Sequence, residues 1–159
     1  MLYITINKIV KILAHTTSDN QDFIYLVDLL DADLKIRDGN EHEFYAQINQ
    51  TAVLKNVLVC YNNLSAIGCG AFREIDEKTV EIKRMYVLPD FRGKGIASEI
   101  LLELEKWASE QKYTKTILET GINQPEAIAM YTKLGYTIIE NYGHYKGMQN
   151  SICMSKNLK

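Results

Sequence analysis

From residue 53 onward the apolar positions first alternate and then regroup, predicting strands that give way to helices. VLKNVLVCY, LSAIGCGAFREI and TVEIKRMYVL are β-patterned runs joined by polar turns at Asn62-Asn63 and at Asp76–Lys78. They predict an antiparallel three-stranded meander that ends at Pro89. If alternation holds throughout the third run, Glu81, Lys83, Met85 and Val87 share one face. From about Gly95 to Gln111 the period becomes helical. Ile96, Ile100, Leu104, Trp107 and Ala108 fall on one side, and Glu99, Glu103, Lys106 and Glu110 on the other. TKTILET reads as a short strand. QPEAIAMYTKLG reads as a helix, with Pro125 near its first turn and Gly135 just past its end. YTIIE and SICMSKN are two further strands. Upstream, residues 2–13 read as a strand, with Tyr3, Thr5 and Asn7 against Ile4 and Ile6. Ser18 or Asp19 can cap a helix running through FIYLVDLLDADLKI to about Asp38-Gly39. EHEFYAQINQ fits no single pattern. The order β-α-(α)-β-β-β-α-β-α-β-β predicts a mixed α/β (α+β) fold with antiparallel and parallel pairing in one sheet.

Composition narrows the classes. The chain has 159 residues, a length that suits one domain over 1–159, and no Pro-rich or Gly/Ser-rich linker divides it. At 47% hydrophobic and 24% charged it reads as globular rather than disordered. A net charge of −2 exerts no general pull on nucleic acid or anionic membrane, so any anion site must be local. No apolar run approaches the roughly 20 residues of a membrane span. The start, MLYITINKIVKILAH, lacks the pattern of a secretory signal. Cys60, Cys69 and Cys153 form no CxxC pair, which predicts buried, reduced thiols in a cytoplasmic protein. His15, His42 and His144 are scattered and suggest no metal.

The stretch RMYVLPDFRGKGIAS, residues 84–98, concentrates the chemistry. A strand feeds a turn in which Gly93 and Gly95 permit positive φ and close approach to the backbone. A helix opens immediately after it. Its first amides lack intrahelical partners and carry the positive end of the helix dipole. With Arg92 and Lys94 alongside, this is a cradle for a phosphate-sized anion. Lys94 lies between the glycines and Ser98 is displaced, so the turn is not a Walker loop, and it has no GxGxxG spacing after a first strand. A basic turn with glycines for geometry alone is the plainer alternative.

Arg92-Gly93-Lys94-Gly95-Ile96-Ala97 resembles the R/Q-x-x-G-x-G/A signature of the GNAT acetyltransferases. QPEAIAMYTKLGY resembles that family's second signature, N-x-x-A-x-x-L-Y-x-x-x-G-F. The resemblance covers roughly residues 53 to 156, and the first 50 residues carry no matching motif. It implies a GNAT fold, in which a mostly antiparallel sheet flanked by helices splays at its central parallel strand pair. It implies a standalone enzyme of bacterial type that moves acetyl from acetyl-CoA to an amine in a ternary complex, without a metal.

By the resemblance, the amides from Arg92 through Gly93, Lys94, Gly95 and Ile96 to Ala97 bind the CoA pyrophosphate. The strand end at Met85, Val87 and Leu88 pairs with pantetheine. Gln124 stands where the family more often has asparagine, and either hydrogen-bonds the CoA arm or caps the helix before Pro125. Tyr131 takes the position of a tyrosine near the CoA sulfur, where a phenol can donate to the departing thiolate; core packing is the alternative. Glu81 and Glu119 are both candidates for the base that frees the amine, though Glu81 can equally be a structural partner of Lys83. Tyr142, His144 and Tyr145, in a loop between the last two strands, are candidates for acceptor contact. The expected acceptor is a small-molecule, amino-acid or peptide amine, with no nucleic-acid or membrane partner, and the resemblance leaves room for a homodimer. A catalytically silent acyl-CoA sensor is the alternative function, and a phosphate-binding protein of another fold a third.

Overall fold

The computed structural model describes residues 11–49 and 53–159. Strand β1 (Lys11–Thr16) leads to helices α1 (Gln21–Asp38) and α2 (His42–Asn49). The meander β2 (Asn56–Asn62), β3 (Ser65–Glu74) and β4 (Thr79–Val87) follows as expected. Helix α3 (Ile96–Glu110), strand β5 (Lys115–Gly121), helix α4 (Pro125–Lys133) and strands β6 (Thr137–Ile139) and β7 (Ser151–Asn157) complete the order. The expected strand over residues 2–13 meets β1 only at its end, and its residues 2–10 lie outside the described ones. EHEFYAQINQ, left open by its pattern, is helical over His42–Asn49.

Among the described residues seven strands form one sheet in the order β1-β2-β3-β4-β5-β7-β6. Neighbours are antiparallel except β4 and β5, which run parallel. That parallel pair is short: it couples Thr79 to Lys115, Val80 to Thr116 and Glu81 to Ile117. Beyond Glu81 the two strands part, although β4 continues to Val87 and β5 to Gly121. The sheet is therefore splayed at its central parallel pair.

Each face carries its own core. On one, Ile100, Leu101 and Leu104 of α3 pack on Leu58, Ile67, Phe72, Ile82 and Leu118. On the other, Phe23, Leu26 and Leu30 of α1 pack on Val57, Val59, Cys69, Ala71 and Tyr86. Burying each such side chain contributes about 1.5–3 kcal/mol. The three cysteines are buried and unpaired. α1 is capped by Asn20 rather than Ser18 or Asp19: its side-chain oxygen accepts from Phe23 N at 3.0 Å. Ser18 Oγ instead accepts from Leu54 N, tying the helix approach to the segment before β2.

The expected single face for Glu81, Lys83, Met85 and Val87 does not hold. Between Cys69 and Ala71 of β3, strand β4 inserts one extra residue, and Arg84 adopts φ of 59°. Such a bulge inverts the alternation beyond it. Val80 and Ile82 before it, and Met85 and Val87 after it, all belong to the α3 side. Glu81 and Lys83 are left on the opposite side.

Candidate active site

The splay of β4 from β5 opens two cavities that meet at Leu30, Met85, Gln124 and Tyr131. The larger, about 560 Å³, runs between the end of β4, the glycine turn and α4, with Asp33 and Arg37 of α1 on its wall. The smaller, about 90 Å³, lies on the α1–α2 side of the sheet and is lined by Asp38, Tyr45, Asn49, Glu81, Lys83, Arg84, Glu119 and Tyr145, among others. Helix α1 thus walls both spaces, and α2 walls the smaller one. Hydrogen bonds hold this wall shut against α4: Arg37 reaches Glu126 Oε1 at 2.6 Å, and Arg37 and Asn123 exchange side-chain-to-carbonyl bonds at 3.3 Å.

The glycine turn has the geometry its sequence demands. Gly93 and Gly95 sit at φ of 72° and 77°, and Gly95 precedes the first residue of α3, whose N-terminus has no side-chain cap. The amides of the first helical turn therefore face the larger cavity without a competing protein acceptor. A Cβ on either glycine would meet nothing within 4 Å, so the requirement is for the backbone conformation and not for space. Arg92, Gly93, Gly95, Ile96 and Ala97 line the cavity. Lys94 does not: its ammonium donates to Asp90 O at 3.0 Å and lies over the Phe91 ring. Arg92 donates to Val87 O at 2.8 Å and lies over Tyr86. Met85 and Val87 line the same cavity, whereas Leu88 packs into both cores and uses its N–H on Ile67 O.

Gln124 lines both cavities and makes no side-chain cap to α4, so its side chain is directed to the cavities rather than to the helix. Tyr131, 6% exposed, stands edge-on to Tyr136 with ring centroids 5.6 Å apart. Tyr136 is itself fixed by Glu105 and Thr116, each at 2.9 Å. Burial pushes the Tyr131 phenol well above its ordinary range, and the Glu119 charge pushes the same way.

The two glutamates differ. Glu81, 1% exposed, is held by Arg73 Nε at 2.8 Å and by the Tyr142 hydroxyl at 2.6 Å. Lys83, the expected partner, is only 3.8 Å from it. Glu119 lies across the opening. Burial raises its carboxyl to about 7, against lowering by the Ser151 hydroxyl and by Lys83, with Asp38 and Glu81 adding to the rise. Of the loop candidates, Tyr145 is buried and lines the smaller cavity, and Tyr142 braces Glu81 from outside it. His144 is exposed on the short 3-10 turn at Gly143–Tyr145 and lines neither cavity, because that turn directs its neighbour Tyr145 inward instead.

Lys83, Arg84, Tyr45, Asn49 and Asp38 are cavity residues that sequence reasoning passed over. The signal for two of them was present: a lysine and an arginine inside an otherwise buried apolar strand. For the α1 and α2 residues no local pattern announced a role.

The profile of the Acetyltransferase (GNAT) family matches residues 12–136, and the chain belongs to that family. The uncharacterized N-acetyltransferase YsnE of Bacillus subtilis (strain 168) is 32% identical over 93 residues, 57% of this chain and 62% of that protein. The IAA acetyltransferase of Azospirillum brasilense is 33% identical over 102 residues, 64% of this chain and 67% of that one. The match thus spans less than two thirds of the Bacillus relative. Among solved structures, a Klebsiella pneumoniae chain described as an acyl-CoA N-acyltransferase superposes with a TM-score of 0.79 at 28% identity, covering 94% of this chain and 99% of that one. A GNAT acetyltransferase from Elizabethkingia anophelis with acetyl-CoA bound shares the fold at a TM-score of 0.67 and 18% identity, covering 93% and 98%. Among the described residues no helix is long and apolar enough to cross a membrane.

Proposed function

We propose that this chain, as a single domain, transfers acetyl from acetyl-CoA to a primary amine of a small molecule, amino acid or peptide, by direct attack in a ternary complex. The observation that carries this reading is the meeting of the two cavities at Tyr131, with the glycine turn along one and Glu119 in the other.

The residues of the larger cavity fit CoA. The amides from Gly93 to Ala97, at the positive end of a 15-residue helix, suit a pyrophosphate. The edge of β4 beyond Glu81, unpaired by β5, suits an extended pantetheine arm. Acetyl-CoA, when bound, supplies a thioester carbonyl to be attacked. Glu119 takes a proton from the incoming amine, for which a carboxyl near neutrality is well matched. As the C–N bond forms and the C–S bond breaks, Tyr131 donates to the sulfur. The burial that raises the phenol also raises a neighbouring thiol, so the proton can pass between them. Glu81, already engaged by Arg73 and Tyr142, braces the wall beside Lys83 rather than receiving the proton.

Steady release of CoA from acetyl-CoA across a panel of amines tests the proposal. Tight CoA binding with no turnover of any amine would favour the silent sensor. Tyr131→Phe is expected to lower kcat about a hundredfold with little change in CoA affinity; an unaltered kcat would return Tyr131 to a packing role.

A further inference from the structure

Lys83 is a buried cation whose nearest carboxylate, Glu81, is shared with Arg73. It is 8% exposed, and its ammonium reaches Asn49 Oδ1 at 3.2 Å and the Tyr145 hydroxyl at 3.5 Å. The nearest carboxylate oxygen, on Glu81, is 3.8 Å away and already serves Arg73, while Tyr142 occupies the other oxygen. The neighbouring cation, Arg84, has a carboxylate of its own in a two-point pair with Asp31 at 2.9 and 3.2 Å, although its Nε is left without a partner. Burying a charge is costly unless it is closely paired, so a lysine on a cavity wall whose only near carboxylate is shared and 3.8 Å away suits an anion from the ligand.

Its position relative to Glu119 says which ligand. The last paired residues of β4 and β5 are Glu81 and Ile117. Lys83 and Glu119 each follow two residues beyond that last pair, where the strands part. Both line the smaller cavity. A cation and a carboxyl on the wall of one small cavity suit a molecule that carries a carboxylate and an amine close together. The cavity holds about 90 Å³, roughly three waters' share of liquid volume, so only a compact group fits. Besides Glu81, Arg84 and these two, the charged group lining it is Asp38 of α1, whose negative charge favours an incoming ammonium.

We propose that the acceptor is a small amino acid, its carboxylate held by Lys83 with Tyr145 and Asn49 and its amine presented to Glu119 beneath Tyr131. This assignment rests on the acetyltransferase reading above and narrows it. Lys83 also disfavours a diamine, since a second ammonium would meet a buried cation.

Matched acceptors decide it. Amino acids, their carboxamides and the corresponding amines lacking the carboxyl group are compared by CoA release, on the wild-type chain and on Lys83→Met. The amino acid is expected to exceed its carboxamide about tenfold to a hundredfold in kcat/KM, chiefly through KM, the range for losing one charge-assisted hydrogen bond. Lys83→Met is expected to lose most of that ratio. Equal or better use of carboxamides or diamines overturns the amino-acid assignment while the acetyltransferase reading stands. If no amine is turned over, that reading fails, and calorimetric titration of alanine and propionate into CoA-loaded protein still decides the carboxylate site. Saturable binding that weakens tenfold or more in Lys83→Met supports it, and absence of binding to the wild-type chain overturns it. The wild-type comparisons need no variant to fold.

Discussion

Glu81 and Glu119, on adjacent strands, keep very different company, and the base role proposed for Glu119 follows from that difference. Glu81 is saturated by a guanidinium and a phenol, whereas Glu119 faces the opening with its carboxyl raised to about 7 by burial. A base must be ionised to act, so kcat/KM should climb as pH rises through about 7 and then level. Glu119→Gln should lose that limb and fall about a hundredfold, which a pH–rate profile would reveal. The same shift makes a stability statement. Between the usual 4.5 and about 7 the folded chain holds a proton that the unfolded chain has released. Stability from this group is therefore full below about 4.5 and is lost as pH rises through about 7. Glu119→Gln lacks that slope and should be the more stable protein at pH 8, by on the order of 3 kcal/mol at most, with no advantage at pH 4.5, as read by urea denaturation.

At the scale of elements, the bulge at Arg84 and the glycines of β3 and the turn set the site. Helix α3 lies so close on β3 that a Cβ at Gly70 would stand 2.5 Å from Met85 Sδ and 2.9 Å from Ile100 Cγ2 and Leu104 Cδ1. Gly70→Ala is expected to cost about 1–3 kcal/mol by overpacking, measured as a lower urea midpoint at unchanged slope. Gly95 presents the opposite case. Its Cβ position is open, but φ of 77° is unfavourable for an L side chain by about 1–2 kcal/mol. Gly95→Ala should therefore weaken acetyl-CoA binding about tenfold, by reshaping the turn rather than filling it; unchanged affinity would separate the turn from the pyrophosphate. The meander, both long helices and the order of all later elements were legible because their apolar periods of 2 and 3.6 are local properties. The bulge was not. Its cause is the fit of β4 against β3, and nothing in VEIKRMYV marks where the extra residue falls.

Over the whole molecule, α1 spans the gap that the splayed strands leave, contributing Leu30 to both cavities and clasping α4 through Arg37 and Glu126. A ligand seated between these parts should stabilise the fold: acetyl-CoA at a hundredfold excess over its Kd adds about 2.7 kcal/mol, seen as a raised Tm that ATP does not reproduce. The turn at residues 92–97 and the helix ending at Gly135 were readable from sequence because an anion cradle and a helix stop are built from consecutive residues. Those two segments, together with the apolar periods, determined the fold class and the family by themselves. What sequence could not supply was the company each side chain keeps. Tyr142 joins Arg73 on Glu81, Asn49 and Tyr145 converge on Lys83, and Tyr45 meets Ser151; apart from Arg73, across the β3–β4 hairpin, these partners come from elements far apart in the chain. Only tertiary packing decides which buried charges are already matched and which still need a ligand. For the same reason, the grounds for proposing Glu119 over Glu81 as base, and Lys83 as the acceptor's partner, come from the folded structure alone.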